Sequence, residues 1–308
     1  MKKISKPASL HPHLKITNLE PIEDESICKY PAGLYIVATP IGNLEDITLR
    51  ALSTLKNADT IVCEDTRISR KLLNFYGIQK PLIAYHDFNA EKTRPVILEK
   101  LKQGETIALI TDAGTPLVSD PGYKLVQDIL KEGLYFTSVP GPSSVIDALV
   151  LSGLPPDRFY FGGFLPVKAG ALKNHLESLK SVPATLIFFE AAPRLLPTFK
   201  IMKDVFNNRT AVVARELTKK FEQVLRDSLE NLIDYYEKNG PPKGEVVLLV
   251  EAGKQNEEPL NLDALILSAL KNNKSMKDAV ASVVKETKLS KKIIYQKALT
   301  LSAESKDD

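Results

Sequence analysis

The 308-residue sequence predicts an α/β protein of two domains, with a mostly parallel N-terminal sheet, a mixed α+β second domain and a small helical C-terminal tail. Three observations lead there. Short β-prone runs alternate with helical periods from Leu34 to Leu151, as βαβ crossovers require. Gly153-Leu154-Pro155-Pro156-Asp157 then interrupts every packing period, since two prolines supply no backbone donors. Beyond it the strand candidates come closer together, with room for a hairpin around Glu216–Phe221. The implied organisation is a leader over 1–31, an N-terminal α/β domain over 32–153, a second α/β domain over 158–254 and a basic helical tail over 261–300.

Pro7, Pro12, Pro21 and Pro31 punctuate the leader, where no period develops; His11 and His13 lack the further ligands a metal clamp needs, so no metal is expected. Leu34–Ala38 is the first strand, followed by apolar residues at mostly helical spacing from Leu44 to Leu55. Asp59–Cys63 reads as a strand, with a helix through Lys71, Leu72 and Phe75 that stops at Gly77. Leu82–Tyr85 is a strand, Glu91–Lys102 a helix and Thr106–Ile110 a strand. Asp120–Lys131 is the next helix, with Ser119 or Asp120 as its cap and Pro121 in its first turn. Tyr135–Val139 and the helix Ser143–Leu151 complete the first domain.

In the second domain, strands are expected at Tyr160–Phe164, Ala184–Phe189, Ala211–Arg215, Gln223–Arg226 and Glu245–Val250. Helices are expected at Ala171–Lys180, Arg194–Phe206 and Leu229–Lys238. The tail, Asn261–Leu299, is helical, with Ser290 suited to cap its last helix.

Composition narrows the class. Hydrophobic residues make up 44%, enough for a chain of this size to bury roughly 75% of its unfolded surface. Cys28 and Cys63 are too few for a disulfide scaffold and fit a reducing, cytoplasmic setting. The longest apolar runs, such as Val246–Val250, fall far short of a membrane span. The net charge of +3 names no partner, but Lys271–Lys297 holds eight lysines against Asp278 and Glu286, a local balance of +6. Such an appendage suits a polyanion held in a salt-sensitive way; a solvated lysine-rich helix pair has the same composition.

Ligands of open α/β sheets bind beyond the carboxyl ends of the strands. Thr39–Asp46 combines a rigid exit at Pro40 with Gly42 and a possible cap at Asn43. Thr111–Gly122 places Asp112 directly after an apolar strand, followed by Ala113, Gly114 and Val118 in a loop open enough to wrap a small polar ligand. It matches neither a P-loop nor GxGxxG. Val139–Ser144 adds two prolines and Ser143. Cys63–Lys71 sets Glu64 and Asp65 before Arg67, Arg70 and Lys71, a charge pattern able to orient an RNA phosphate and a reacting hydroxyl. A plain helix N-terminus uses the same acidic residues to favour its dipole. His86 sits in another polar strand exit, and Phe189-Glu190, Arg215–Lys220 and Pro241–Glu245 are expected to face a cleft. No GxSxG, HExxH or cysteine-ligand set is present.

The ordered series Gly33–Thr48, Cys63–Arg67 with Lys71–Leu73, Thr111–Pro116 with Ser119–Gly122, Val139–Ser143, Gly163–Pro166, Arg215–Lys219 and Lys243–Glu245 resembles the small-subunit ribosomal RNA 2′-O-methyltransferases of the tetrapyrrole-methylase superfamily. The resemblance implies methyl transfer from S-adenosylmethionine to the ribose 2′-hydroxyl of cytidine 1402 of bacterial 16S rRNA in the small ribosomal subunit. It also implies a cofactor site between two α/β domains and a homodimer, and the short apolar runs add that no membrane is a partner. Carried across, Pro40, Asp112, Ala113, Gly114, Val118, Ser143, Phe189 and Leu217 match cofactor-side positions. Glu64, Asp65 and Arg67 are the catalytic candidates, and Arg67, Arg70, Lys71, Lys291 and Lys292 the RNA contacts.

The chain departs from the pattern where Ala191-Ala192-Pro193 replaces a common Ser-Pro-His, where Phe221 and Val167 stand for frequent histidine and arginine, and where Asp87-Phe88 replaces Glu-His. These departures disfavour a histidine base and leave the cofactor motifs intact. A methylase of tetrapyrrole rings and a non-catalytic RNA-binding assembly factor are the alternatives the residues leave open.

Overall fold

The computed structural model describes residues 30–253, 262–272, 275–287 and 289–304. Most of the leader, with His11, His13 and Cys28, lies outside the described residues, as do Lys274 and Lys288. The chain divides into two compact units that part between Ser143 and Ser144.

The first unit runs β1 (Gly33–Val37), α1 (Leu49–Asn57), β2 (Thr60–Cys63), α2 (Thr66–Phe75), β3 (Leu82–Ala84), α3 (Ala90–Lys102), β4 (Thr106–Ile110), α4 (Tyr123–Lys131) and β5 (Phe136–Val139). The strands form one sheet in the order β3-β2-β4-β1-β5, with every pair parallel. Alternation along the strands sends Tyr35, Val37, Ile61, Cys63, Ala108 and Ile110 to one face, against Ala51, Leu55 and Leu73 of α1 and α2. Leu34, Ile36, Val62, Ile107 and Leu109 go to the other, against Ile97 and Leu101 of α3 and Leu125 and Ile129 of α4. Burial on both faces explains why these strands are continuously apolar, and each such Leu or Ile contributes about 1.5–3 kcal/mol. Because all five strands are parallel, their exit loops share one edge.

The second unit comprises α5 (Ser144–Ser152), β6 (Phe159–Phe164), α6 (Ala169–Leu179), β7 (Thr185–Ala191), α7 (Leu195–Phe206), β8 (Thr210–Arg215), β9 (Gln223–Ser228), α8 (Leu229–Asn239) and β10 (Glu245–Val250). Its sheet order is β6-β7-β10-β8-β9, with only β6–β7 parallel. The expected hairpin is present, with Arg215 opposite Gln223. One face packs on α6, α7 and α8 through Leu176, Phe188, Phe199, Leu229 and Leu248.

The sequence reading assigned the helix now named α5 to the first domain, but it packs on β8, β9 and β10. Val145, Ala148 and Leu149 are buried, and Arg226 Nε donates to the Leu151 and Ser152 carbonyls at 3.1 Å, satisfying helix-end acceptors.

The tail holds α9 (Leu262–Asn272), α10 (Met276–Thr287) and α11 (Lys291–Glu304), packed around Ile266, Val280, Val283, Ile294 and Ala298. Lys297 pairs with Asp263 at 2.6 Å. The Ser290 carbonyl accepts from the N–H groups of Ile293 and Ile294 at the start of α11. Among the described residues no helix is long and apolar enough to cross a membrane.

Candidate active site

Sheet order decides which loops meet. β4, β1 and β5 are neighbours, so the loops carrying Asp112–Val118, Pro40 and Ser143 lie side by side. Thr39 and Gly114 exchange two backbone hydrogen bonds, at 2.9 and 3.0 Å, and Thr39 Oγ1 donates to the Thr111 carbonyl at 3.2 Å. Thr115 Oγ1 donates to the Pro142 carbonyl at 3.1 Å. These threonines clamp the three exits together. Sequence reasoning passed over them because threonine is ordinary in strands; their placement at the strand ends was the available signal.

The loop after β4 is conformationally expensive. Gly114 has φ 84°, and the non-glycine residues Leu117 and Ser119 hold φ 73° and 67°. Left-handed backbone at such residues persists only where surroundings impose it, and it clusters at ligand sites. Ala113 and Gly114 keep side-chain bulk away from this backbone. Pro40 is buried, Ser143 is half-buried, and Val118 is exposed.

The helix after this loop begins at Tyr123, not at Asp120, and its N-cap is Gly122 with no side-chain capping bond. Asp120 is therefore not the cap that its sequence position suggested. Its carboxyl lies near Thr111 instead, and burial followed by repulsion from Glu64 pushes its pKa up to about 6. Glu64 and Asp112 are also raised, each mainly by burial; Asp112 and Asp87 add repulsion at Glu64, and Asp65 at Asp112. The N–H of Asp65 donates to Asp112 Oδ1 at 3.2 Å. Three half-buried carboxyls thus share the exits of β2 and β4. Among the described residues no group of three or more His, Cys, Asp or Glu is arranged to hold a metal ion.

Asp65 behaves differently from its neighbour. It caps α2 by accepting from the Arg67 N–H at 2.7 Å, and it pairs with the Arg67 guanidinium at 2.6 Å. Those bonds hold its carboxyl well below the usual range and raise Arg67. Arg67 and Arg70 lie three apart on α2, and both are exposed, as is Lys71. Cys63 is buried, and burial raises its thiol pKa, which makes it a core residue rather than a nucleophile.

In the second unit, Phe189 is half-buried among Phe161 and Phe164, with ring centroids 5.0 and 5.3 Å away. Leu217 is buried in the β8–β9 turn, between the left-handed residues Glu216 (φ 50°) and Thr218 (φ 63°). Glu190, expected to face a cleft, is instead buried: it accepts from Thr198 Oγ1 at 2.7 Å and the Ala191 N–H at 2.8 Å, and it pairs with Arg194 at 3.4 Å. Arg194 Nη2 in turn donates to the Pro166 carbonyl at 2.7 Å, so this charged pair braces the fold. Lys291 and Lys292 are exposed at the start of α11.

Residues 33–233 match the tetrapyrrole (corrin/porphyrin) methylases. Among solved structures, the fold is similar to diphthine synthase (TM-score 0.56, 19% identity, 71% of this chain and 89% of that one). It is also similar to uroporphyrin-III C-methyltransferase from Thermus thermophilus complexed with S-adenosyl homocysteine (TM-score 0.53, 18% identity, 71% and 97%). The chain is 48% identical over 271 residues to "Ribosomal RNA small subunit methyltransferase I" of Mesorhizobium japonicum, covering 87% of this chain and 92% of the relative. The Rickettsia prowazekii protein of that name is 48% identical (86% and 95%), and that of Escherichia coli O157:H7 is 42% identical (86% and 94%). With this identity along nearly the whole of its relatives, the chain belongs to the tetrapyrrole methylases and, within them, to the ribosomal RNA small subunit methyltransferase I family.

Proposed function

We propose that the chain transfers a methyl group from S-adenosylmethionine to the ribose 2′-hydroxyl of cytidine 1402 in bacterial 16S rRNA. The observation that carries this reading is the convergence of Glu64, Asp112 and Asp120 beside the small-residue loop at Ala113-Gly114, in a family named for small-subunit rRNA methylation.

The residues fit such a cofactor. Three carboxyls raised by burial and mutual repulsion favour a cationic ligand, and this one carries a sulfonium and an ammonium group. Asp112, Ala113, Gly114 and Val118, with Pro40 and Ser143 on the adjoining exits, would hold it; Phe189 and Leu217 are further candidate contacts. When bound, it supplies a methyl group already made electrophilic by the sulfonium charge.

The protein's own task is to place a ribose oxygen and take its proton, and positioning of this kind supplies much of an enzyme's rate. Glu64 is the proton acceptor: it is half-buried, and burial followed by repulsion from Asp112 raises its carboxyl pKa, which makes it a stronger base than an exposed glutamate. Asp65, locked to Arg67, is a weak base and positions that arginine. Arg67, Arg70 and Lys71 hold flanking phosphates, and Lys291 and Lys292 extend the basic surface for the polyanion. A homodimer and a cytoplasmic location complete the proposal; light scattering of the purified protein measures the first.

The test is incubation of unmodified small subunits with labelled S-adenosylmethionine, followed by nucleotide mapping. Label on the 2′-oxygen of cytidine 1402 supports the reading. Label elsewhere on the rRNA removes the target, and absence of both label and cofactor binding removes the activity. A 2′-deoxy nucleotide at the target must abolish transfer, because the acceptor oxygen is gone.

A further inference from the structure

The loop after β3 carries a residue that the proposed reaction leaves unused. β3 pairs with β2 in register, Cys63 opposite Ala84, and the Tyr85 N–H donates to the Cys63 carbonyl at 2.8 Å. The chain then turns through His86–Asn89 beside Glu64, whose carboxylate feels the charges of both His86 and Asp87. Asn89 braces the turn from both ends. Its Oδ1 accepts from the His86 N–H at 2.9 Å, and its Nδ2 donates to the Ala84 carbonyl at 2.9 Å. A further bond, Ala90 N–H to the His86 carbonyl at 2.9 Å, closes the turn onto α3.

Phe88 stands at the tip of this braced turn and is 98% exposed. Its ring meets the His86 ring edge-on, with centroids 6.1 Å apart and planes at 61°. A single exposed apolar residue needs no explanation by itself. This one is held on a fixed backbone at the same sheet edge as Glu64. α2, with Arg67, Arg70 and Lys71 exposed, packs on β3. Cations for phosphate, a carboxylate for a sugar hydroxyl and a flat ring are therefore gathered on β2, α2 and the loop after β3, the chemistries that the three parts of a nucleotide call for.

We propose that Phe88 stacks on an unpaired base of the RNA substrate next to Glu64. Single-stranded RNA is recognised by bases splayed onto aromatic rings, and such stacking tolerates any base because every base has a π-face. The inference rests on the ribosomal RNA reading above and names how that substrate is gripped.

Steady-state methyl transfer to isolated small subunits is measured for wild type, Phe88→Ala, Phe88→Leu and Phe88→Trp, with cofactor affinity by calorimetry and molar mass by light scattering. Loss of one stacked base is expected to raise KM for subunits by about tenfold or more in the Ala and Leu variants. Phe88→Trp is expected to restore wild-type KM, with cofactor affinity and molar mass unchanged throughout. An unchanged KM in Phe88→Ala overturns the proposal, as does rescue by Leu equal to that by Trp, or a change of oligomeric state. If wild type itself transfers no methyl group to the subunits, the functional reading falls first. If wild type is active and Phe88→Ala equals it, only the stacking role falls.

Discussion

The main-chain N–H of Asp65 donates to the carboxylate of Asp112 at 3.2 Å, joining the exits of two neighbouring parallel strands. The Glu64 side chain lies close enough to Asp112 for that carboxylate to raise its pKa, while Asp65 turns away to cap α2. Adjacent carboxylates in the chain thereby acquire opposite electrostatic settings, which is how one site separates a base from a positioning group.

Glu64→Gln is expected to lower kcat for methyl transfer by about 10²–10⁴, the range lost with a general base, with a smaller loss of cofactor affinity as one of three carboxylates goes. Asp65→Asn keeps a capping oxygen but removes the ion pair that holds Arg67, so it should shift KM for RNA more than kcat and leave the melting temperature nearly unchanged. Single-turnover rates with both variants decide the assignment; equal kcat losses would remove the distinction between the two carboxylates.

The Asp120 carboxyl, pushed up to about 6, holds its proton more tightly in the folded than in the unfolded chain. Its contribution to stability is present below pH 4 and lost as pH rises to about 6, above which the cost stays constant. Asp120→Asn removes the titration. Melts of the cofactor-free protein should show the variant more stable than wild type at pH 8 and equal to it at pH 3.5. A difference independent of pH would contradict this origin.

Gly244, at φ 98°, lies against Glu216; a Cβ there would sit 2.4 Å from Glu216 Oε1. That oxygen accepts from the Glu245 N–H and from Lys219 Nζ, each at 3.0 Å. Gly244→Ala combines left-handed strain with displacement of this carboxylate and should destabilise the protein by about 2 kcal/mol. Denaturant unfolding monitors it, and a midpoint matching wild type would show that the turn relaxes freely.

The tail bears exposed Lys291 and Lys292 at the start of α11. Deleting 261–308 should weaken RNA binding while leaving cofactor affinity in place. The milder Lys291→Ala with Lys292→Ala should flatten the dependence of log Kobs on log[salt] by about 1–2 in slope. An unaltered slope would place the phosphate contacts elsewhere.

The strands at Leu34, Asp59, Thr106 and Glu245 begin within a residue of their expected positions, because β-prone runs bounded by turn residues are local signals. The start of α4 was missed. Ser119, Asp120 and Pro121 read locally as a helix start, whereas the left-handed backbone at Leu117 and Ser119 carries the chain three residues further before it coils. Asp120 was accordingly overlooked as a member of the site. Glu190 was expected in a cleft because a carboxylate at a strand end looks available; only the packing of Thr198 and Arg194 around it reveals a buried brace.

By itself, the sequence determined the types and order of elements and the family, since periodicity, turn chemistry and motif order are properties of neighbouring residues. The tertiary structure alone decided that β4 lies between β2 and β1 and that α5 joins the second sheet. It also decided that the Glu64 carboxylate lies among Asp112 and Asp120 while the Asp65 carboxylate turns to Arg67. Burial and Coulomb interactions depend on distance through space, and residues up to 56 positions apart along the chain, as Glu64 and Asp120 are, become neighbours only when the sheet closes.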